Sequence, residues 1–344
     1  MNNFKKVGLS ALAGSLAAFS AQAAEVSWSG DSTVAYTDNE SNSSAANSAL
    51  NSAFSADTGL SVSASGELDN GWTVSTAMDT GTNNTVSSAQ LTIGLGDLGT
   101  VQFNQIAGAF TNGLDDKLPT AYEETNDGSE HAAQGHSVGS HSTSGSISYK
   151  TPSVDIGGAS IQAMIDYDPS GSTANSGNGV PSGSSSNVGS AMATGLSIDT
   201  GMGLALYAAR ETVNSEKPGA TKTDAEAVGV QAVFTMGQIS AGWGEWYDDG
   251  ANGGADYAME AWSVAFTVND NLSISYGEME DTKKGVASST TTIADITAEI
   301  EAINIAYSMG SMAIKYKNTD TSRPNFGAAA NSQERNELAV SFSF

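Results

Sequence analysis

The chain has 344 residues, no cysteine, 38 glycines and only 6 prolines. Its 13 basic residues against 38 acidic ones give a net charge of −25, which sets nucleic acid and anionic surfaces aside as partners and favours cations. Without cysteine there is no disulfide and no thiolate chemistry, so an exported fold would rest on its own hydrogen-bond ladder.

The chain opens with Lys5 and Lys6, an apolar run from Val7 to Phe19, and the small residues Ala21-Gln22-Ala23. This is the pattern of a cleaved signal peptide over residues 1–23. A run of about 13 residues is too short for the roughly 20 that a spanning helix needs. The mature chain is expected to start at Ala24 or Glu25. Subtracting the two leader lysines (13 − 2) leaves 11 basic residues against 38 acidic, a net charge of −27. No later apolar run could span a bilayer as a helix, so a membrane role demands a barrel.

From Glu25 onward the sequence alternates apolar and polar, as strands with one greasy and one wettable face do. Strand one (Glu25 to Thr37) puts Val26, Trp28, Val34 and Tyr36 on one parity. Strand two (Thr58 to Leu68) turns at Asp69-Asn70-Gly71 into strand three (Trp72 to Asp79). Strand four (Ala89 to Leu95) turns at Gly96-Asp97-Leu98-Gly99 into strand five, with Val101 and Phe103. A long polar stretch, Ala107 to Ser142, follows. Strand six is Ser144 to Lys150, with Pro152 marking its turn, and strand seven is Ala159 to Tyr167. Strands eight (Ala191 to Ile198) and nine (Leu204 to Arg210) meet at Asp199-Thr200-Gly201. Strands ten (Ala227 to Met236) and eleven (Ile239 to Tyr247) meet at Gly237. Strands twelve (Tyr257 to Val268) and thirteen (Leu272 to Glu278) meet at Asn269-Asp270-Asn271. Strands fourteen (Glu299 to Met309) and fifteen (Met312 to Asn318) meet at Gly310-Ser311. The sixteenth carries Leu338, Val340, Phe342 and Phe344 on one face.

Tight turns on one side and longer loops on the other, with an even strand count, give the layout of an outer-membrane barrel over residues 24–344. Proline cannot donate to a ladder. Pro119, Pro169, Pro181, Pro218 and Pro324 fall in the expected extracellular loops and Pro152 in a periplasmic turn, so none is expected to interrupt a strand.

Three segments carry a family resemblance: GLGDLGTVQFNQ (Gly94 to Gln105), SISYKTP (Ser146 to Pro152) and the terminal FSF (Phe342 to Phe344). In order and spacing the chain resembles the general porins of Gram-negative bacteria, over essentially its whole mature length. The resemblance implies an all-β fold, a transmembrane antiparallel barrel of about sixteen strands, trimeric, in the cell outer membrane. It implies a water-filled channel for passive diffusion of small hydrophilic solutes and ions, with outer-membrane lipid around it. The terminal aromatic on the greasy face would be read by the barrel-insertion machinery. It also implies that the third loop, residues 107–142, folds into the lumen as a constriction.

That loop holds Asp115, Asp116, Glu123, Glu124, Asp127 and Glu130, candidates for pore-lining carboxylates. A carboxylate ring there raises the local cation concentration. The basic side chains with lumen parity are Lys150, Lys315, Lys317 and Arg335, expected on the wall facing the loop. Arg210 has the wrong parity. Strands one to five carry no Lys or Arg, a departure from the family pattern that points to cation preference. Trp28, Tyr36, Trp72, Phe342 and Phe344 are the candidate membrane-interface aromatics. On the outward parity of strands one and two, Gly30, Ser32, Ala64 and Gly66 favour close packing, and a subunit interface is expected near strands one to five.

His131, His136 and His141 are five apart, a spacing that suits no helical ligand set, and no metal or cofactor is expected. They read better as titratable loop side chains. There is no GxSxG elbow and no histidine on a rigid strand, so no catalytic residue is assigned and an enzyme is disfavoured. A substrate-specific outer-membrane channel, or a secreted adhesive β-protein, are the alternative readings.

Overall fold

The computed structural model describes residues 25–42, 51–81, 85–134, 138–169, 188–215, 224–249, 255–285 and 294–344. The signal-peptide reading of residues 1–23 and His136 lie outside them. Sixteen antiparallel strands follow one another round a closed barrel. They are β1 (Glu25–Ser41), β2 (Asn51–Glu67), β3 (Thr73–Thr80), β4 (Val86–Gly94), β5 (Thr100–Ile106), β6 in two pieces (Ser146–Lys150 and Val154–Ile156) and β7 (Ala159–Asp168). Then come β8 (Val188–Asp199), β9 (Leu204–Ser215), β10 (Ala225–Met236), β11 (Ile239–Asp249), β12 (Tyr257–Asn269), β13 (Leu272–Lys283), β14 (Ile296–Met309), β15 (Met312–Ser322) and β16 (Ser332–Ser343). Among the described residues no helix is long and apolar enough to cross a membrane.

β1 pairs with β2 on one side and with β16 on the other, from Asp31↔Ser343 to Ser41↔Gln333. The backbone N–H of Phe344 reaches the carbonyl of Gly30 at 2.8 Å and completes that seam. A closed ladder leaves no edge, so backbone polar groups are satisfied where lipid cannot satisfy them.

Register sorts the side chains. Trp243, Trp262, Val264, Phe266, Ile303 and Leu338 point outward and stay exposed although apolar, as lipid-facing residues must. Their strand neighbours Trp246, Met259, Met279, Ile300 and Ala302 point inward and are buried. Shifting any pairing by one residue would exchange the two sets, so the hydropathy alternation fixes the register.

Several boundaries differ from expectation. β1 and β2 run to Ser41 and from Asn51, because the hydrogen-bonded ladder continues through mostly polar residues, with Phe54 packing on Tyr36. β13 and β14 extend likewise to Lys283 and from Ile296. Pro152 does not make a turn. It interrupts the sixth strand between Lys150 and Val154, where Thr151 donates to the Ala163 carbonyl at 2.9 Å. Proline has no N–H to offer there, so β6 breaks and then resumes. The reversal comes later, at Gly157 and Gly158, both with positive φ (61° and 94°).

Candidate functional site: the third loop and the lumen wall

Residues 107–145 connect β5 to β6, and their described residues include a short 3₁₀ turn, Asn112–Leu114. The loop is bonded along its length to inward-facing side chains of the wall. Asp166 on β7 accepts the N–H groups of Phe110 (3.2 Å) and Thr111 (2.7 Å) as well as the Thr111 hydroxyl. Gln231 on β10 accepts from the Lys117 N–H at 2.6 Å and donates to the Leu114 carbonyl at 2.6 Å. Trp246 on β11 donates to the Asp115 carbonyl at 2.9 Å, and Ser263 on β12 to that of Pro119 at 2.7 Å. Ser275 on β13 accepts from Ala121 at 2.9 Å. The contacts then pass to Asn304 on β14, Lys317 on β15 and Gln333 on β16. The return limb ends on Glu211 of β9, which accepts the Ser142 N–H at 2.8 Å.

Small residues make the room. A Cβ added at Gly195, Gly242 or Gly277 would collide with Leu114, Pro119 and Thr125 respectively. Beneath the loop Leu114 and Val138 join Trp246, Met259, Met279 and Ile300 in one buried apolar cluster. The loop is therefore fastened by apolar burial and by polar wall groups aimed at its backbone.

Buried wall carboxylates are the strongest fasteners. Asp166, Glu211 and Asp281 are all essentially inaccessible. A carboxylate accepting several N–H groups makes charge-assisted bonds, roughly twice as strong as neutral ones. Asp281 on β13 takes the Gln134 N–H at 2.7 Å and contacts His131 Nε2 at 2.9 Å. His131 Nδ1 accepts the Asn325 N–H at 3.0 Å, so Nε2 carries the proton and donates to Asp281. Asn325 belongs to the 3₁₀ turn Pro324–Phe326, which follows β15. Phe326 lies edge-on to the His131 ring, 4.9 Å between centroids. His131 thus fastens the third loop to the eighth. His141 sits near Glu211 at 3.4 Å, and that hydrogen bond raises the imidazole pKa above its ordinary value despite partial burial. Among the described residues there is no group of three metal-ligating side chains.

The candidate carboxylates fall into different settings. Asp115 and Asp116 cap local N–H groups, 2.8 Å and 2.6 Å respectively. Glu123 is half-buried, 3.8 Å from Lys317, and burial raises its pKa while Lys317 opposes the rise. Glu124 offers its carbonyl to Lys317, and Asp127 accepts the Glu124 N–H at 3.2 Å. Glu130 accepts from Ser41 at 3.1 Å. Tyr122 donates to Glu337 at 2.9 Å, and burial together with Glu123 raises its phenol pKa.

The four basic residues do not face the loop across an open passage. They touch the loop or an acid beside it. Lys150 lies 4.6 Å above the Phe110 ring and Lys315 4.7 Å above that of Tyr122. Lys317 is buried on the Glu124 carbonyl, and Arg335 is bonded to Glu337 and packed over Gly128. The wall on the other side, β1 to β4, presents Ser29, Ser61, Ser63 and Ser75 with Asp31, Asp57 and Asp79 on inward parity. Sequence reasoning missed the wall carboxylates and inward glycines, though both were marked by lumen parity. The candidate interface aromatics Trp28, Tyr36, Trp72, Phe342 and Phe344 are all exposed, Trp28 by 67% and Phe344 by 80%.

The family model described as Gram-negative porin matches residues 8–310. The chain belongs to this family. Among solved structures, OmpTΔL8, a loop L8 deletion mutant of the Vibrio cholerae outer-membrane protein OmpT, aligns at a TM-score of 0.64 and 14% identity. That alignment covers 94% of this chain and 100% of that one. Salmonella typhi OmpF, in complex with daunomycin, aligns at 0.64 and 11% identity, covering 93% and 98%. The outer-membrane channel DcaP of Acinetobacter baumannii aligns at 0.64 and 12%, covering 93% and 97%. At these identities the likeness is one of fold. No curated protein matches the sequence. The porin is an outer-membrane channel for passive diffusion, and family and fold point to a channel rather than an enzyme.

Proposed function

We propose that this porin passes small hydrophilic solutes with a preference for cations, and that residues 107–142 narrow its lumen. The observation that carries the reading is the engagement of Lys150, Lys315, Lys317 and Arg335 by the loop or its flanking acids. Lys317 and Arg335 are offset by the carboxylates beside them, and Lys150 and Lys315 are held against aromatic rings of the loop. The space left between the loop and β1 to β4 is bordered by hydroxyls and by Asp31, Asp57 and Asp79, with no Lys or Arg on that wall. Charges in a narrow, partly desolvated passage interact several-fold more strongly than in bulk water, so a modest excess of acid biases permeation. The test is the reversal potential across a planar bilayer under a salt gradient. Wild type is expected to prefer potassium over chloride. Replacing Asp115, Asp116, Glu123 and Glu124 together by Asn and Gln should shift the potential toward anions. A wild-type pore that prefers chloride overturns the reading.

The assembly is read as a homotrimer through β1 to β5. One solved neighbour is the trimer form of Vibrio cholerae OmpT, 11% identical at a TM-score of 0.62. Here Gly30, Ser32, Ala64 and Gly66 give the outer face of β1 and β2 small side chains suited to close packing. A single chain by native mass spectrometry in mild detergent would rule the trimer out.

A further inference from the structure

Arg210 is the one Lys or Arg with outward parity on a described strand. Its surroundings are otherwise acidic. On the same outer face Glu245, Glu260, Glu280 and Glu299 oppose one another directly across β11, β12, β13 and β14. Such a row repels anionic headgroups, which leaves Arg210 as the single outward attractor for them on the described strands.

Directly beside Arg210 the outer wall is hollow. Ala208 on β9 is in register with Leu196 on β8 and Val230 on β10, so a methyl group lies between two larger side chains. The resulting apolar trough holds about 340 Å³ and is lined by Thr194, Leu196, Ala208, Arg210, Val228 and Val230. It opens outward, because the inner side of the same strands is filled by Leu114 against Gly195 and by Trp246 against Gly229.

The level in the membrane is fixed by register. Arg210 pairs with Val228, and Val228 with Tyr247, an exposed outer aromatic. Interface aromatics sit among the lipid headgroups. β9 runs from the tight turn at Leu204 toward the longer loop after Ser215, so Arg210 stands at the outer-leaflet end and the trough descends from it toward the midplane.

We propose that this trough seats one acyl chain of a phosphorylated outer-leaflet lipid, with the lipid phosphate on Arg210. Glu226 holds the guanidinium through Nε (2.8 Å) and Nη2 (3.0 Å), and Arg210 is 58% exposed. A guanidinium has five N–H donors in a fixed fork, so the Nη1 pair stays available to a phosphate. Glu226 orients the fork and at the same time competes with the ligand for its charge.

The test is native mass spectrometry of the detergent-solubilised porin in EDTA, titrated with bis-phosphorylated hexa-acyl lipid A or with the same lipid stripped of phosphate. EDTA removes cation-bridged binding at the carboxylate row. One phosphorylated lipid is expected to add per chain, and the stripped lipid to bind about tenfold less, in line with the loss of a charge-assisted hydrogen bond. R210A should show the same loss for the phosphorylated lipid and no discrimination between the two. E226Q should move the other way and bind more tightly, a direction that a mere folding defect would not produce. A208W, which fills the trough, should weaken both lipids, and unchanged single-channel conductance in each variant would show an intact barrel. Equal binding of the two lipids by wild type, undiminished binding by R210A, or pairing of two chains across this face would overturn the proposal.

Discussion

His131 illustrates how much a single loop residue carries. Its ring is buried between β13 and the eighth loop, with a donor bond to Asp281 and an acceptor bond from Asn325. Asp281→Ala would strand both the imidazole N–H and the Gln134 N–H, and an unpaired buried donor costs about 1–3 kcal/mol. The expected outcome is a lower thermal unfolding midpoint and noisier single-channel current, both read against wild type. His141 has a pH signature. Glu211 holds its folded-state pKa above the ordinary histidine value, so its contribution is complete below that ordinary value and is lost as pH rises through the folded one. The difference in thermal midpoint between wild type and His141→Ala should therefore be largest at mildly acid pH and vanish in alkali. Glu123 acts through charge instead. Its raised pKa means that it takes up a proton above the usual carboxylate range. Cation preference should begin to fall at a higher pH in wild type than in Glu123→Gln, as reversal potentials against pH would show.

At the scale of elements, the inward glycines set where the third loop lies. Gly242→Leu would drive side-chain atoms into Leu118 and Pro119, and the loop must move off β11. Single-channel conductance should change while the barrel still folds. The barrel strands were readable because lipid outside and water inside impose strict alternation, and Leu338, Val340 and Phe342 show it without interruption. The loop's fastenings were not. Asp166 and Glu211 sit on lumen parity like any solvated acid, and only the fold brings them under the backbone of residues 110–111 and 141–142. Lys315 and Lys317 lie on the inward parity, and their partners, a tyrosine ring and a backbone carbonyl, leave no periodic trace in sequence. Pro152 misled because its missing N–H breaks a strand as readily as it begins a turn.

For the whole molecule, stability resides in one continuous ladder, so damage at any strand is felt everywhere. Ala339 lies in the middle of β16, buried, paired with Ala35 on one side and Lys315 on the other. Ala339→Pro would remove a ladder donor at the closing strand. The expected result is loss of the compact, heat-modifiable species on SDS gels, where Ala339→Val should keep it.

The seam between β1 and β16 also dictates a timetable. The first strand to leave the ribosome is bonded to one of the last, with residue 33 against residue 341. β1 cannot complete its pairing beside β2 alone, because its second partner does not yet exist. Non-local pairing of this kind is slow and leaves open strand edges that invite aggregation. The barrel therefore cannot close until its last strand has joined its first, and until then the two open edges are exposed to pairing with other chains.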